Sequence, residues 1–213
     1  MQIDIWSDFA CPWCALGSLR LRAALDRFEH GDEVTVVHRA FELHPGSPAR
    51  VERSMEEVVR AKYGMSAAQV RAGHDRLTEM GRDVGFTFDF DTVKLGNTFD
   101  AHRLAAAVRG TPAEQRVVDA LFVAHFTEGR QLSDHAVLRD VGESAGLTAE
   151  AVTAALVDVT LGTEVRADEA EAVERDVTGV PYFLVAGVWP IPGAQDVDTL
   201  LAILQRAWSR LAQ

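Results

Sequence analysis

SDFACPWC, residues 7–14, follows a short apolar run and opens a stretch of helical periodicity, and it holds the only two cysteines of the chain. The free N–H groups and the dipole at a helix N-terminus stabilise a thiolate. Cys14 lies about one helical turn after Cys11, near enough to close a small disulfide ring. The spacing predicts a redox couple. Cys11 is the attacking thiolate at the exposed start of the helix, and the less accessible Cys14, with the higher pKa, resolves the mixed disulfide.

Three other uses of the two cysteines fit this position less well. Inert buried cysteines are common, but a strand-to-helix turn is a poor place to hide them. A zinc site needs four ligands, and the chain has no second cysteine pair. A papain-like nucleophile needs one cysteine within a characteristic local sequence that is absent here. We therefore expect no metal site.

The composition suits a soluble globular protein with a substantial core. The chain has 213 residues, 47% of them hydrophobic, and a formal net charge of −11. One domain, or one domain with a large insertion, fits this length. Because the sequence contains no Lys/Arg-rich run, nucleic acid and anionic membrane surfaces are not expected partners. No segment approaches 18 uninterrupted apolar residues, so we expect no membrane span.

The N-terminus, MQIDIW, enters a β-run directly, without the basic region, apolar stretch and cleavage site of a secretory signal. We therefore expect the protein to be cytoplasmic. Glutathione and thioredoxin systems keep cytoplasmic thiols reduced, so a C-x-x-C pair there is more often catalytic than structural.

The hydrophobic pattern begins with a βαβ unit. Residues 2–6 and 34–41 are β-runs on either side of a helix over residues 11–30, which predicts parallel strands joined by a right-handed crossover. The next block, about residues 48–178, is helical almost throughout.

Capping signals divide the helical block. Residues 54–57, 66–69 and 111–114 have the Ser/Thr-x-x-Glu/Gln pattern of a capping box. Glycines are expected to end successive helices, at Gly85, Gly110, Gly129, Gly146 and Gly179.

The chain ends with a second β-region. Residues 182–186 and 188–191 predict a hairpin across the tight turn Ala186-Gly187, followed by a helix over residues 197–211. Because the strands at the two ends of the chain cannot bury their faces alone, we expect them to meet in one sheet. The resulting order is βαβ, a helical block, then ββα.

Four segments, taken in order, resemble the DsbA-like thioredoxin family in its cytoplasmic FrnE-type branch. They are residues 7–14, NTFDAHRL at 97–104, GVPYF at 179–183 and IPGAQ at 191–195. The resemblance implies an α/β thioredoxin fold with a large all-helical domain inserted after the second strand. Residues 1–47 and 179–213 would form the thioredoxin domain, and residues 48–178 the insertion.

The resemblance also assigns a partner to the cysteines. Alone, Val180-Pro181 is best explained as a trans proline after a helix end. In thioredoxin-like folds this proline is cis and lies against the active cysteines, and the backbone of Val180 is then free to bind an extended substrate.

Residues beside the cysteines are expected to tune them. Pro12 and Trp13 set the geometry and solvation between the two sulfurs. Asp8 is a candidate proton relay, or a like charge that raises the pKa of Cys11. The simpler interpretation of Asp8 is a cap on a helix or turn.

More distant candidates complete the predicted substrate site. The resemblance suggests that the Asn97 end of a helix faces the cysteines, with His102 on the same helix. An N-cap and a hydrogen-bonded histidine between helices are the simpler interpretations. Gln195 begins the last helix, where N–H groups suit a carboxylate such as that of glutathione, although N-capping by Asp196 explains the segment equally well.

The leading function is a thiol–disulfide oxidoreductase or isomerase acting on protein or glutathione disulfides. We expect no bound cofactor, with glutathione as a candidate redox partner or co-substrate, and a homodimer is compatible with the architecture. One alternative is a glutathione-dependent isomerase or kappa-class-like transferase, although members of that group generally carry serine in place of Cys11. Another is a non-enzymatic redox-sensing or peptide-binding module.

Overall fold

Four strands form one mixed sheet in the order β2-β1-β3-β4. The computed structural model describes residues 1–211. β1 (Gln2–Ser7) pairs in parallel with β2 (Thr35–Ala40) and antiparallel with β3 (Tyr182–Val185), which pairs antiparallel with β4 (Trp189–Pro192). The two ends of the chain therefore meet in one sheet, as the sequence predicts, and the order βαβ, helical block, ββα is that of a thioredoxin fold of the α/β class.

Nine α-helices surround this sheet within residues 1–211. α1 (Pro12–Asp26) connects β1 to β2, and α9 (Val197–Leu211) follows β4. The helical block between β2 and β3 consists of α2 (Met55–Tyr63), α3 (Ala67–Arg82), α4 (Phe99–Ala106), α5 (Glu114–Phe126), α6 (His135–Ser144), α7 (Ala149–Val157) and α8 (Val159–Glu174). No helix in this part of the chain is long and apolar enough to cross a membrane.

Alternation along the strands assigns the two faces of the sheet. Ile3 and Ile5 point to the side that α1 and α9 cover, where Leu200 and Leu204 pack against them. Trp6 points to the other side and packs with Ala172 of α8. Successive side chains of a strand point in opposite directions, so β1 contributes apolar side chains to the packing on both faces of the sheet.

A buried carboxylate joins the helical block to the sheet. Asp168 of α8 accepts hydrogen bonds from Arg109 and from the backbone N–H of Ala40 on β2, and it pairs with Arg39. Its own carbonyl accepts from the indole N–H of Trp6 at 2.9 Å. These contacts fix the position of α8 against β2 and against the end of β1, which leads into the loop that carries Cys11.

The division into two domains remains a prediction. The apolar core around α4, α5 and α6 also contains Phe9, Cys11, Cys14 and Ala15. The cysteines are therefore packed against the helical block as well as against the thioredoxin part of the fold.

Of the three capping boxes that the sequence predicts, two are present in the structure and one is not. Ser54 and Ser66 form capping boxes with Glu57 and Gln69, as expected. The box predicted at residues 111–114 is wrong, because Glu114 instead accepts from the N–H groups of His38 and Gly110. α5 consequently begins at Glu114 with no side-chain cap.

Two predicted helix ends differ from the structure. α1 ends at Asp26 instead of residue 30, and Phe28 turns to pack edge-on against Trp208 of α9 with ring centroids 5.9 Å apart. Gly179 does not end a helix, because α8 already stops at Glu174. The hairpin turn is confirmed, since Ala186 and Gly187 both have positive φ, at 51° and 71°.

Candidate active site

The two cysteines lie at the N-terminus of α1 as free thiols. Cys11 is the N-cap residue and Pro12 the first helical residue, where a missing N–H costs nothing. The N–H of Cys14 donates to the carbonyl of Cys11 at 3.0 Å, so both residues belong to the first turn. This is the strand-to-helix position that the sequence predicts.

Cys11 is less accessible than expected. Only 6% of it is exposed, against 1% of Cys14, so the prediction of an exposed nucleophile is wrong. The cause is packing, because Cys11 joins the apolar core and its thiol donates to the carbonyl of Val180 at 3.7 Å. An incoming sulfur must reach it along the groove described below.

Cys14 is the deeper sulfur. Burial raises the pKa of its thiol well above the usual value, and the neighbouring Cys11 raises it further. The N–H of Asp8 donates to Cys14 Sγ at 3.5 Å and acts in the opposite direction. The pKa direction agrees with the sequence prediction and suits a sulfur that reacts second.

Pro181 lies where the family pattern expects it. The Val180-Pro181 peptide is cis and immediately precedes β3. α1 approaches it closely at Gly17, where a Cβ atom would lie 2.9 Å from Pro181 Cγ and 3.2 Å from Phe183 Cζ. The missing side chain of Gly17 is therefore what lets α1 pack against this loop.

A methyl group at Gly17 is expected to disturb this contact. Gly17→Ala should lower the free energy of unfolding by about 1–2 kcal/mol, because overpacking a close contact outweighs the gain in helix propensity. Urea denaturation measures the change. Gly73→Ala, on α3 in open space, is the matched control and should stabilise by about 0.5–1 kcal/mol. Equal gains for both variants would contradict the packing argument.

Asp8 holds the loops around the cysteines together. Its carboxylate accepts from the N–H groups of Ala10 at 3.1 Å and Leu43 at 2.7 Å, and from the hydroxyl of Thr98 at 2.9 Å. His102 Nε2 lies 3.6 Å from Oδ1. Burial alone would raise the pKa of Asp8, but His102 and the two backbone donors together hold it below its usual value.

We expect Asp8→Asn to destabilise the protein by about 2 kcal/mol, because the new NH₂ group faces a hydrogen-bond donor and leaves it unpaired. Chemical denaturation at pH 7 measures this loss. Asp134→Asn is a control, since Asp134 caps an exposed helix end through one N–H and Asn caps equally well. A denaturation midpoint unchanged in Asp8→Asn would show that the carboxylate is not needed.

Asn97 and His102 occupy different surroundings. Asn97 Nδ2 donates to Glu42 Oε1 at 3.1 Å, and its Oδ1 accepts from the N–H of Phe99 at the start of α4. His102 is buried between Asp8 and Phe9, whose ring centroid lies 4.8 Å from the imidazole. The role of Asn97 as a substrate ligand remains a prediction. Its neighbour Thr98, and not Asn97 itself, contacts Asp8.

Gln195 contacts its own loop. Its Nε2 donates to the carbonyl of Pro192 at 2.8 Å, and Asp196 accepts from the N–H and hydroxyl of Thr199. These hydrogen bonds lower the pKa of Asp196 and match the capping interpretation. Binding of a carboxylate by Gln195 remains a prediction.

Sequence patterns missed two buried polar groups near the site. The side chain of Glu42 pairs with Arg166 of α8, and burial raises the pKa of Glu42 despite this partner. His125 of α5 is 2% exposed and neither ring nitrogen has a hydrogen-bond partner within residues 1–211. Burial lowers the pKa of His125 to about 4, although the charge of Asp8 opposes this shift. No spacing in the sequence distinguishes these residues from surface ones.

A groove of about 880 Å³ leads to Cys11. Pro12 and Trp13, which is 42% exposed, line one end beside the cysteine. The walls come from the loop after β2 and from α2 and α3, and they are mostly apolar. Within residues 1–211, no group of three or more His, Cys, Asp or Glu side chains is arranged to hold a metal ion.

A thioredoxin fold with a dithiol at the start of α1 and a cis-proline facing it defines the class of thiol–disulfide oxidoreductases. The family model for the DSBA-like thioredoxin domain matches residues 2–205. The chain therefore belongs to the DsbA-like thioredoxin family. Its assignment to the FrnE-type branch remains a prediction.

Three proteins are similar to this chain in sequence or in structure. A probable DsbA oxidoreductase from Streptomyces coelicolor is 38% identical, with a TM-score of 0.91 over 98% of this chain and 90% of that one. YwbO of Bacillus subtilis, an uncharacterised protein, is 26% identical over 93% of this chain and 92% of its own. The cytosolic disulfide reductase DsbM of Pseudomonas aeruginosa shares the fold at 18% identity, with a TM-score of 0.68 over 99% of this chain and 100% of that one.

Proposed function

We propose that this DsbA-like oxidoreductase exchanges disulfides with proteins or glutathione through Cys11 and Cys14. The observation that carries the proposal is the position of the two sulfurs. Cys11 lies at the end of a groove with its thiol on the Val180 carbonyl, and Cys14 is buried one turn behind it. This arrangement supports a role for Cys11 as the sulfur that meets substrate and for Cys14 as the sulfur that resolves the mixed disulfide.

The reaction proceeds in two exchanges. The Cys11 thiolate attacks one sulfur of a substrate disulfide, forms a Cys11–substrate disulfide and releases the other sulfur as a thiolate that takes up a proton. Cys14 then attacks Cys11 Sγ and loses its proton, and the second substrate sulfur leaves as a thiolate that takes up this proton. The substrate gains two electrons, and the enzyme is left with a Cys11–Cys14 disulfide. The reverse sequence oxidises a dithiol.

The surrounding groups support this order of events. The raised pKa of Cys14 keeps it protonated until a mixed disulfide on Cys11 brings an acceptor sulfur next to it. The carbonyl of Val180 accepts from the Cys11 thiol in the resting dithiol. An extended substrate on the backbone of Val180 would place its sulfur against Cys11.

Catalysed reduction of insulin by glutathione tests the proposal. The wild-type protein should accelerate chain separation well above the rate with glutathione alone, and a variant with both cysteines changed to alanine should not. No acceleration with insulin, together with no reduction of oxidised glutathione by the reduced enzyme in a single turnover, would refute it. Redox-dependent binding of insulin without turnover would favour the non-enzymatic module.

The large apolar groove favours one second candidate. A cavity of this size beside a single reactive sulfur suits a glutathione-dependent isomerase or transferase acting on a small molecule. That reaction does not need Cys14, so its turnover would survive Cys14→Ser. Disulfide reduction requires both cysteines, and the variant therefore separates the two functions.

Glutathione is proposed as a redox partner because DsbM, which has the same fold, has been solved with GSH. A cytoplasmic location and a homodimer remain predictions from the sequence. Size-exclusion chromatography with light scattering determines the oligomeric state.

A further inference from the structure

The groove at Cys11 differs in charge from the rest of the chain. The protein carries a formal net charge of −11. Among the residues that line the groove, the one carboxylate is Asp8, and its oxygens are taken up by Ala10, Leu43 and Thr98. The lining also includes Arg53 and Lys62, so the groove is locally cationic on an acidic protein.

Arg53 and Lys62 supply the positive charge of the groove lining. Arg53 and Lys62 are exposed, and neither forms an ion pair within residues 1–211. The nearby Arg60 and Arg71 are instead both paired with Glu56. The ammonium of Lys62 lies 3.3 Å from His44 Nε2 at the groove rim. The rim therefore holds two cations that form no ion pair within residues 1–211, beside an apolar wall, although Glu57 is near enough to interact with the charge of Arg53.

The apolar wall is open to solvent along its edge. Tyr63 is 63% exposed and Trp13 is 42% exposed, and both line the groove together with Val58 and Val59. Small ligands are usually enclosed over most of their surface. An open trough with a cationic edge better fits an extended chain that buries one or two apolar side chains.

We propose that the groove recognises a polypeptide segment that carries apolar side chains and acidic residues next to the reacting cysteine. The inference rests on the proposed function, because it names the substrate class of the same site. Apolar side chains pack between Trp13 and α2, acidic residues meet Arg53 and Lys62, and the substrate disulfide reaches Cys11 at the end of the groove.

The test uses short peptides with one cysteine, each joined to glutathione by a disulfide. One peptide carries Leu, Phe and two Glu around the cysteine. A second replaces the two Glu by Lys, and a third replaces Leu and Phe by Ser. We expect kcat/KM for reduction of the first to exceed that of each other peptide by at least about tenfold at low salt, with the charge preference shrinking as salt rises.

Two variants with the same charge change separate local recognition from net charge. Arg53→Glu combined with Lys62→Glu should abolish or reverse the preference for Glu over Lys. Arg139→Glu combined with Arg206→Glu changes two exposed arginines outside the groove lining and should keep it.

The outcomes that overturn the inference differ from those that overturn the function. If every peptide is reduced at the same rate, or both double variants lose the preference equally, the enzyme stands and the proposed recognition is wrong. The same holds if the Arg53 and Lys62 double variant reduces the aromatic dianion 5,5′-dithiobis(2-nitrobenzoate) more slowly than the wild type but reduces the peptides equally fast. If no disulfide is reduced at all, the proposed function falls and the inference falls with it.

Discussion

Cys11→Ser is expected to lose at least about a thousandfold in the rate of disulfide reduction, because a serine hydroxyl is not ionised near pH 7 and cannot form the mixed disulfide. The fold should survive, since the thiol of Cys11 makes one long contact, 3.7 Å to Val180 O. Stopped-flow reduction of oxidised glutathione measures the rate, and thermal denaturation checks the fold.

Cys14→Ser should fail at a different step. Cys11 can still attack, but nothing resolves the product, so the variant should accumulate one glutathione per protein on Cys11. Mass spectrometry after acid quenching detects this adduct. Steady reduction by Cys14→Ser at the wild-type rate would contradict a resolving role for the buried sulfur. Retained activity in Cys11→Ser would contradict the whole mechanism.

His125→Leu is expected to stabilise the protein, by an amount that grows in acid. Neither ring nitrogen of His125 has a hydrogen-bond partner within residues 1–211, and the side chain is buried. An unpaired buried polar atom costs about 1–3 kcal/mol. Leucine has a similar volume and no polar atom, so the variant should be more stable than the wild type by about 2 kcal/mol at pH 7.

The advantage of His125→Leu should grow in acid. The pKa of His125 is about 4 in the folded protein and near 6.5 in the unfolded chain. Between these values the unfolded state binds a proton that the folded state does not, so stability falls as pH falls from about 6.5 to 4. The difference between the two pKa values corresponds to a loss of roughly 3 kcal/mol in the free energy of unfolding over this pH range.

Urea denaturation of both proteins from pH 7.5 to pH 4.5 measures this difference. Burial also lowers the pKa of His38, so the wild-type profile includes more than one histidine, and the difference between the two proteins isolates His125. Parallel stability profiles would contradict a buried neutral imidazole at this position.

The sequence predicted those parts of the fold that depend on local signals. SDFACPWC placed a dithiol at a strand-to-helix turn because Pro12 and the helical periodicity lie within a few residues of the cysteines. The capping boxes at Ser54 and Ser66 are correct for the same reason, since each depends on hydrogen bonds three residues apart. The tight turn at Ala186-Gly187 is correct because both residues have the positive φ that such a turn favours, although three residues, 186–188, separate the paired strands.

The surroundings of the cysteines depend on contacts that no local pattern encodes. The carboxylate of Asp8 meets Leu43 and Thr98, which lie 35 and 90 residues away along the chain. Glu114 has the residue type and spacing of a capping box, but its partner is the backbone of His38, 76 residues away. The burial of Cys11 likewise follows from Val180 and the helical block, so the sequence overestimated its exposure.

The most direct test of the account is the redox equilibrium of the two cysteines in buffers of reduced and oxidised glutathione. Alkylation and mass spectrometry distinguish the dithiol, the internal disulfide and glutathione adducts, while Trp13 fluorescence follows the transition. We predict one two-electron transition to a Cys11–Cys14 disulfide, with a slope of about 30 mV per tenfold change. A stable glutathione adduct on Cys11, with no internal disulfide at any ratio, would contradict the account and favour the glutathione-dependent alternative.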